Sequence, residues 1–179
     1  MSIDIRVIPG SQSKEYPEIM MRYIAVWMLI VGTAAAQEVN ARFTAGSTSF
    51  VDEDSINHTT MGGSARFYVS KRWAVEPEYL YMRTGSSHSD SVLWGNFTFT
   101  FRQPGKRVNP YFIGGPGVIY SKQSFFNSTF KNTEAAGGGG FGARVFLSDR
   151  VFIAPQFRFG IADGIFGEAT GSIGFVLRK

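Results

Sequence analysis

Large apolar residues recur at every second position over several stretches of this chain. In Val151 to Ala162, Val151, Ile153, Pro155, Phe157, Phe159 and Ile161 fall on one face, against Phe152, Ala154, Gln156, Arg158, Gly160 and Ala162 on the other. Leu93 to Arg102 sets Leu93, Gly95, Phe97, Phe99 and Phe101 against Trp94, Asn96, Thr98, Thr100 and Arg102. Trp73, Val75, Pro77, Tyr79 and Tyr81 oppose Ala74, Glu76, Glu78, Leu80 and Met82. Period two is the signature of a strand with two unlike faces, and after Gln37 no helical period is sustained. The pattern predicts eight strands, near 38–50, 58–70, 73–85, 90–102, 108–121, 133–148, 151–162 and 167–178. Their lengths suit membrane crossing, which takes about 9–11 tilted residues. Tight turns are expected at Lys71-Arg72, 103–107 and Asp149-Arg150, and longer polar loops near 51–57, 86–89, 122–132 and 163–166. Pro77 and Pro155 donate no ladder bond and call for a bulge or a gap.

One apolar run stands apart. Arg22 precedes Tyr23 to Ala36, and Ala34-Ala35-Ala36 meets the small-residue rule for signal cleavage. The run falls short of the ~20 apolar residues of a spanning helix. Residues 20–36 are therefore expected to be a signal peptide cut between Ala36 and Gln37. Residues 1–19, polar and upstream of the better starts Met20 and Met21, are expected to be a non-native extension. Residues 37–179 are expected to form one β-barrel domain.

Composition narrows the picture. The chain has 17 Phe, 7 Tyr and 21 Gly, favouring strands and turns. The net charge of +4 is scattered, without the clustered basic face that nucleic acid requires. There is no cysteine, and so no disulfide or thiolate metal site.

An internal repeat supports the strand count. Ala65-Arg66-Phe67-Tyr68-Val69-Ser70-Lys71-Arg72 is answered by Ala143-Arg144-Val145-Phe146-Leu147-Ser148-Asp149-Arg150, and Pro77 and Tyr79 by Pro155 and Phe157. Two similar hairpins four strands apart would face each other across an eight-stranded barrel.

These features resemble the small OmpA/OmpX-like outer-membrane β-barrel domain family. Asn109 to Gly117 resembles its glycine-rich fifth strand, Phe141 to Arg150 its sixth strand and turn, and Ser172 to Leu177 its closing strand. Many such barrels end on an aromatic residue, whereas this chain ends Leu177-Arg178-Lys179. The resemblance implies an all-β, antiparallel, up-and-down transmembrane barrel in the outer membrane of a Gram-negative bacterium.

Candidate chemistry is sparse. His58 and His88 are placed in loops without metal-spaced partners. Ser87-His88-Ser89-Asp90 has triad residue types, but adjacent residues seldom converge as a triad must. Gly137-x-Gly139-x-x-Gly142 lacks the following helix of a dinucleotide site and reads as clearance inside a narrow barrel. Asn57, Asn96 and Asn127 head sequons that carry no meaning in such a protein.

The expected protein is a filled barrel with a structural or surface-interaction role, not an open pore and not an enzyme. It needs no cofactor or metal. Its surroundings are outer-membrane lipid, with a surface partner through the loops, and it is a monomer. A soluble lipocalin-like binding barrel is the alternative, with its bulky apolar residues inside. A lipid-modifying barrel enzyme is less favoured, because no histidine follows His88. The interior network is expected to comprise Arg42, Arg66, Glu76, Glu78, Arg144 and Arg158. Directly paired residues share a face. A three-residue turn, Lys71-Arg72-Trp73, would then set Arg66 against Glu78 and Tyr68 against Glu76.

Overall fold

The computed structural model describes residues 36–51, 56–84, 88–101, 106–125, 128–162 and 164–178. The leader expected at 20–36 lies outside them except for Ala36, as does the extension at 1–19. The strands are β1 (Glu38–Val51), β2 (Ile56–Tyr68), β3 (Trp73–Thr84), β4 (His88–Thr100), β5 (Val108–Phe125), β6 (Ser128–Phe146), β7 (Val151–Ile161) and β8 (Ile165–Arg178). Each pairs antiparallel with its sequence neighbours, and β8 closes on β1. The architecture is the eight-stranded all-antiparallel barrel that the alternation predicts.

The register fixes the barrel's shape. Stepping across the ladders from Ala41 leads through Ala65, Pro77, Gly95, Pro116, Gly137, Ile161 and Ile165, and returns to β1 at Val51, ten residues further on. With a rise of ~3.3 Å per residue and strands ~4.8 Å apart, that stagger over eight strands gives a tilt of about 40°. An interior of this size is just wide enough for side chains to fill.

Prolines open gaps in the ladders without shifting them. The β2–β3 pairing steps from Ser64↔Glu78 to Phe67↔Val75, leaving Ala65 opposite Pro77 unbonded and the register unchanged. The β6–β7 pairing skips Pro155 in the same way, and the β4–β5 pairing skips Pro116. The repeat is structural. In the β2–β3 turn the Trp73 carbonyl accepts from Val69 N at 3.0 Å and Ser70 N at 3.2 Å. In the β6–β7 turn the Val151 carbonyl accepts from Leu147 N at 2.9 Å and Ser148 N at 3.1 Å.

Two expectations need correction. The β2–β3 turn is odd in length, but its last ladder pair is Tyr68↔Ala74, not Ser70↔Ala74. The Ser70 hydroxyl is drawn into the turn, where it accepts from Trp73 N at 3.1 Å. The register therefore moves by two residues, and Arg66 stands level with Glu76 rather than Glu78. Residues 122–125 and 128–132 of the polar stretch expected as a loop are also strand. β5 and β6 run on as a paired hairpin, with Lys122 opposite Lys131. Elsewhere β1 ends one residue later and β8 starts two earlier than expected, β2 and β4 start and stop two residues earlier, and β3 and β7 end one residue sooner.

Candidate functional site in the barrel interior

Among the side chains described, even-numbered residues of β1–β4 and β6–β8 and odd-numbered residues of β5 point inward, which places polar and bulky groups together in a narrow space. Four inward aromatics are accommodated by glycine. Trp94 pairs with Gly117, Tyr111 with Gly142, Phe152 with Gly174 and Phe166 with Gly160. A Cβ on Gly117 would lie 2.5 Å from the Trp94 ring, and one on Gly142 would lie 2.6 Å from the Tyr111 hydroxyl. Gly142, part of the discarded dinucleotide pattern, thus provides clearance inside the barrel.

The filling is layered. Near the chain termini, Phe152, Ala154 and Val176 form an apolar cluster with Phe146 beside it. Arg144 lies over Tyr68 at 5.0 Å, Phe146 at 5.4 Å and Phe152 at 5.7 Å, and reaches Glu38 at 3.5 Å. Such stacking suits a guanidinium, which is more weakly hydrated than an ammonium.

The middle layer is ionic. Glu76 accepts from Arg42 Nη2, from Arg66 Nε and, at 2.6 Å, from the Ser64 hydroxyl. Arg42 also donates to Tyr111 at 3.1 Å and to Gln156 Oε1 at 3.3 Å, and lies 3.5 Å from Glu78. Arg158 donates to Glu78 at 2.6 Å and lies 3.7 Å from Glu168. Asn96 donates to Glu78 at 3.1 Å. Arg66 stacks on Tyr111 at 4.3 Å, and Arg158 on Trp94 at 4.8 Å. The guanidiniums of Arg42, Arg66 and Arg158 thus meet the carboxyls of Glu76, Glu78 and Glu168, all buried.

At the far end Leu80, Met82, Val92, Trp94, Ile119, Ala136 and Phe166 form a second apolar cluster, with Phe50 against it. Beside it His58 Nδ1 lies 3.7 Å from Asp90 Oδ2. His58 is thus not a solvated loop residue but a buried member of β2. His88 is not in a loop either, because it opens β4.

Among the sequence candidates, Arg42, Arg66, Glu76, Glu78 and Arg158 share the ionic layer, while Arg144 sits apart near the termini. Arg66 bonds Glu76, so the expected Arg66–Glu78 ion pair is replaced. Glu168, Tyr111 and Gln156 were missed. The signal for Glu168 was present in β8, where Phe166, Glu168, Thr170, Ser172, Gly174 and Val176 alternate against apolar or small residues. Among the described residues no cluster of three or more metal-ligating side chains occurs.

The outer face is apolar. Phe97 is 60% exposed, Phe159 55%, Tyr79 50% and Ile153 41%, and Val75, Phe99 and Phe157 share that face. Bulky apolar residues outside and charges within are the reverse of a lipocalin, so the soluble alternative is set aside.

A family profile described as the outer membrane protein β-barrel domain matches residues 23–172. No curated protein matches the sequence. Among solved structures, the fold is similar to the N-terminal β-barrel domain of Pseudomonas aeruginosa OprF, at 13% identity and a TM-score of 0.64, covering 79% of this chain and 98% of that one. Neisserial surface protein A gives 13% identity and a TM-score of 0.64, covering 77% and 95%. Ail, the attachment invasion locus protein of Yersinia pestis, gives 14% and 0.57, covering 78% and 95%.

Proposed function

The chain belongs to the outer membrane protein β-barrel domain family, and from that premise we propose that it is a non-conducting, non-catalytic scaffold barrel that acts at the cell surface. The observation that carries this reading is the filled interior. Three arginines and three glutamates bridge the lumen between two apolar clusters, which leaves charged groups held by partners rather than lining a water path. A buried ionic layer of this kind is costly to open, because each freed charge would lack compensation. The barrel end away from the termini is read as the outward-facing one. There β6 runs from Gly137, its last pairing with β7, back to Ser128, and with β5 forms a hairpin that overruns β7 and β8. That hairpin is the natural contact surface for a partner.

The native chain has no cysteine, so single cysteines report cleanly on orientation. A membrane-impermeant maleimide applied to intact cells should label Lys131→Cys, and should label Asp149→Cys only after the outer membrane is permeabilised. In planar bilayers the purified barrel should give no persistent conductance. Stable channels, or labelling of Asp149→Cys on intact cells, would overturn the reading.

A further inference from the structure

The three hairpin turns at the termini end share a charge pattern that barrel construction does not require. They carry Lys71-Arg72, Lys106-Arg107 and Asp149-Arg150, and Arg178 ends β8 at the same rim. In each turn an arginine is the last residue before the outgoing strand, β3, β5 or β7. Its carbonyl accepts from a neighbouring incoming strand. Arg72 O accepts from Thr100 N of β4, Arg107 O from Phe146 N of β6 and Arg150 O from Val176 N of β8, each at 2.8 Å. These bonds stitch the turns to the rim and fix where their side chains start. Any residue supplies a backbone carbonyl, so the stitching does not call for arginine.

Lys71, Arg72, Lys106, Arg107, Arg150 and Arg178 are all exposed. Among the described residues, Asp149 is the one exposed carboxylate at this end, because the Glu38 side chain is 13% exposed and held by Arg144 at 3.5 Å. By sequence, the β1–β2 connection at the opposite end carries Asp52, Glu53 and Asp54, so charge is separated along the barrel axis. With strands ~4.8 Å apart and tilted about 40°, successive turns lie ~12 Å apart on a rim ~16 Å across. Like charges this close, against a Debye length of ~8 Å at physiological salt, sum to a positive potential over the whole end. The apolar wall stops where the turns begin. Trp73 follows Arg72, Val108 follows Arg107 and Leu177 precedes Arg178, and all three are exposed. The cations therefore stand on the flat end of the cylinder, past the aromatic girdle, rather than along its side.

We propose that this cationic end docks onto a carboxylate-bearing polymer lying parallel to the membrane, the cross-linked peptidoglycan wall. With the termini end in the periplasm, the reading on which this site depends, the wall is the layer that the short turns face. Its peptide stems carry carboxylates on an extended network, and guanidiniums bind carboxylates in bidentate fashion. Arg72, Arg107 and Arg150, each anchored through its own carbonyl and ~12 Å from the next, can engage separate stems. Lipid headgroups ring the side of the barrel, whereas this partner lies across its end. A flat array of cations suits such a sheet better than it suits one small anion.

The test sediments the refolded barrel, in nonionic detergent, with peptidoglycan sacculi purified from a Gram-negative bacterium. Heat-modifiable gel mobility confirms that each variant is folded. Wild-type protein should bind saturably and be released at 1 M salt, where the Debye length is ~3 Å. K71Q/R72Q/K106Q/R107Q should weaken binding roughly a hundredfold, as loss of four cations at an anionic surface implies. D149N, which removes the opposing charge, should bind severalfold tighter, a gain that a merely structural role would not give. K122Q/K131Q, at the other end, should match wild type, and sacculi whose carboxylates have been coupled to methylamine should retain little protein. The proposal falls if the quadruple variant sediments like wild type, if K122Q/K131Q loses as much, or if amidated sacculi bind equally well. It also falls if equimolar phosphatidylglycerol in the micelles abolishes sedimentation, which would assign the cations to lipid headgroups. Sedimentation of purified protein does not depend on orientation in cells. Failed sedimentation with Asp149→Cys still protected on intact cells would therefore remove the wall site alone, whereas labelling of Asp149→Cys there would remove the orientation and the wall site with it.

Discussion

Glu76 is the hub of the ionic layer. Its two oxygens receive Arg42, Arg66 and Ser64, and Thr98 adds a longer bond at 3.4 Å. Arg66 has no comparable bond to Glu78, whose partners are Arg158 and Asn96. Removing one member of a buried pair typically costs about 3–5 kcal/mol, because its partner stays charged without compensation. Glu76→Ala should fall in that range in a urea titration in lipid. A double-mutant cycle should separate the partners. Arg66→Met with Glu76→Gln should show a coupling above ~1 kcal/mol, and Arg66→Met with Glu78→Gln one within ~0.5 kcal/mol of zero. Equal couplings would mean that the two glutamates act as one pool of charge. That all of these residues face inward was legible from their parity in the sequence. Which carboxylate met which guanidinium was not, because it depended on whether Ser70 stayed in the ladder or turned to cap the hairpin. Glu168 lies on β8, outside the repeat that singles out β2–β3 and β6–β7.

At the scale of elements, strands were legible wherever lipid forces one face to be apolar. Phe97, Phe99, Phe157 and Phe159 announce β4 and β7 in this way. Beyond the apolar band that constraint lapses, so Lys122 and Asn132 looked like loop although they pair in β5 and β6. The repeat has a further consequence. Ser70 Oγ accepts from Arg72 N at 3.4 Å and Trp73 N at 3.1 Å, and Ser148 Oγ accepts from Arg150 N at 3.4 Å and Val151 N at 3.1 Å. Serine side chains stabilise turns by such local bonds. Ser70→Ala and Ser148→Ala should each cost about 1 kcal/mol. The hairpins lie four strands apart and share no partner, so the double variant should show the sum within ~0.5 kcal/mol. A marked inequality between the single variants, or a clear departure from additivity, would show that the two turns are not energetically equivalent.

For the molecule as a whole, the fold inverts the usual placement of apolar surface, and two native tryptophans sample its two sides. Trp73 is 53% exposed on the outer face and packs edge-on against Phe99 at 4.9 Å. Trp94 is 2% exposed, stacked under Arg158 and against Phe166. In protein prepared from Gln37 onward, Trp94→Phe leaves Trp73 as the one remaining indole, and Trp73→Phe leaves Trp94. In vesicles of brominated phospholipid, the first variant should be strongly quenched and the second hardly at all. Depth adds a sharper test. Trp73 begins β3 at the termini end, level with the girdle rather than the midplane, where aromatic side chains favour the interface. Bromines near the headgroup should therefore quench it more than bromines near the chain ends. Strong quenching of Trp94 would place lipid chains inside the barrel and invalidate the filled interior. Stronger quenching of Trp73 by deep bromines would shift the apolar band toward the termini and take Trp73 out of the girdle. The same measurement thus bears on the barrel's seating and on its filled interior.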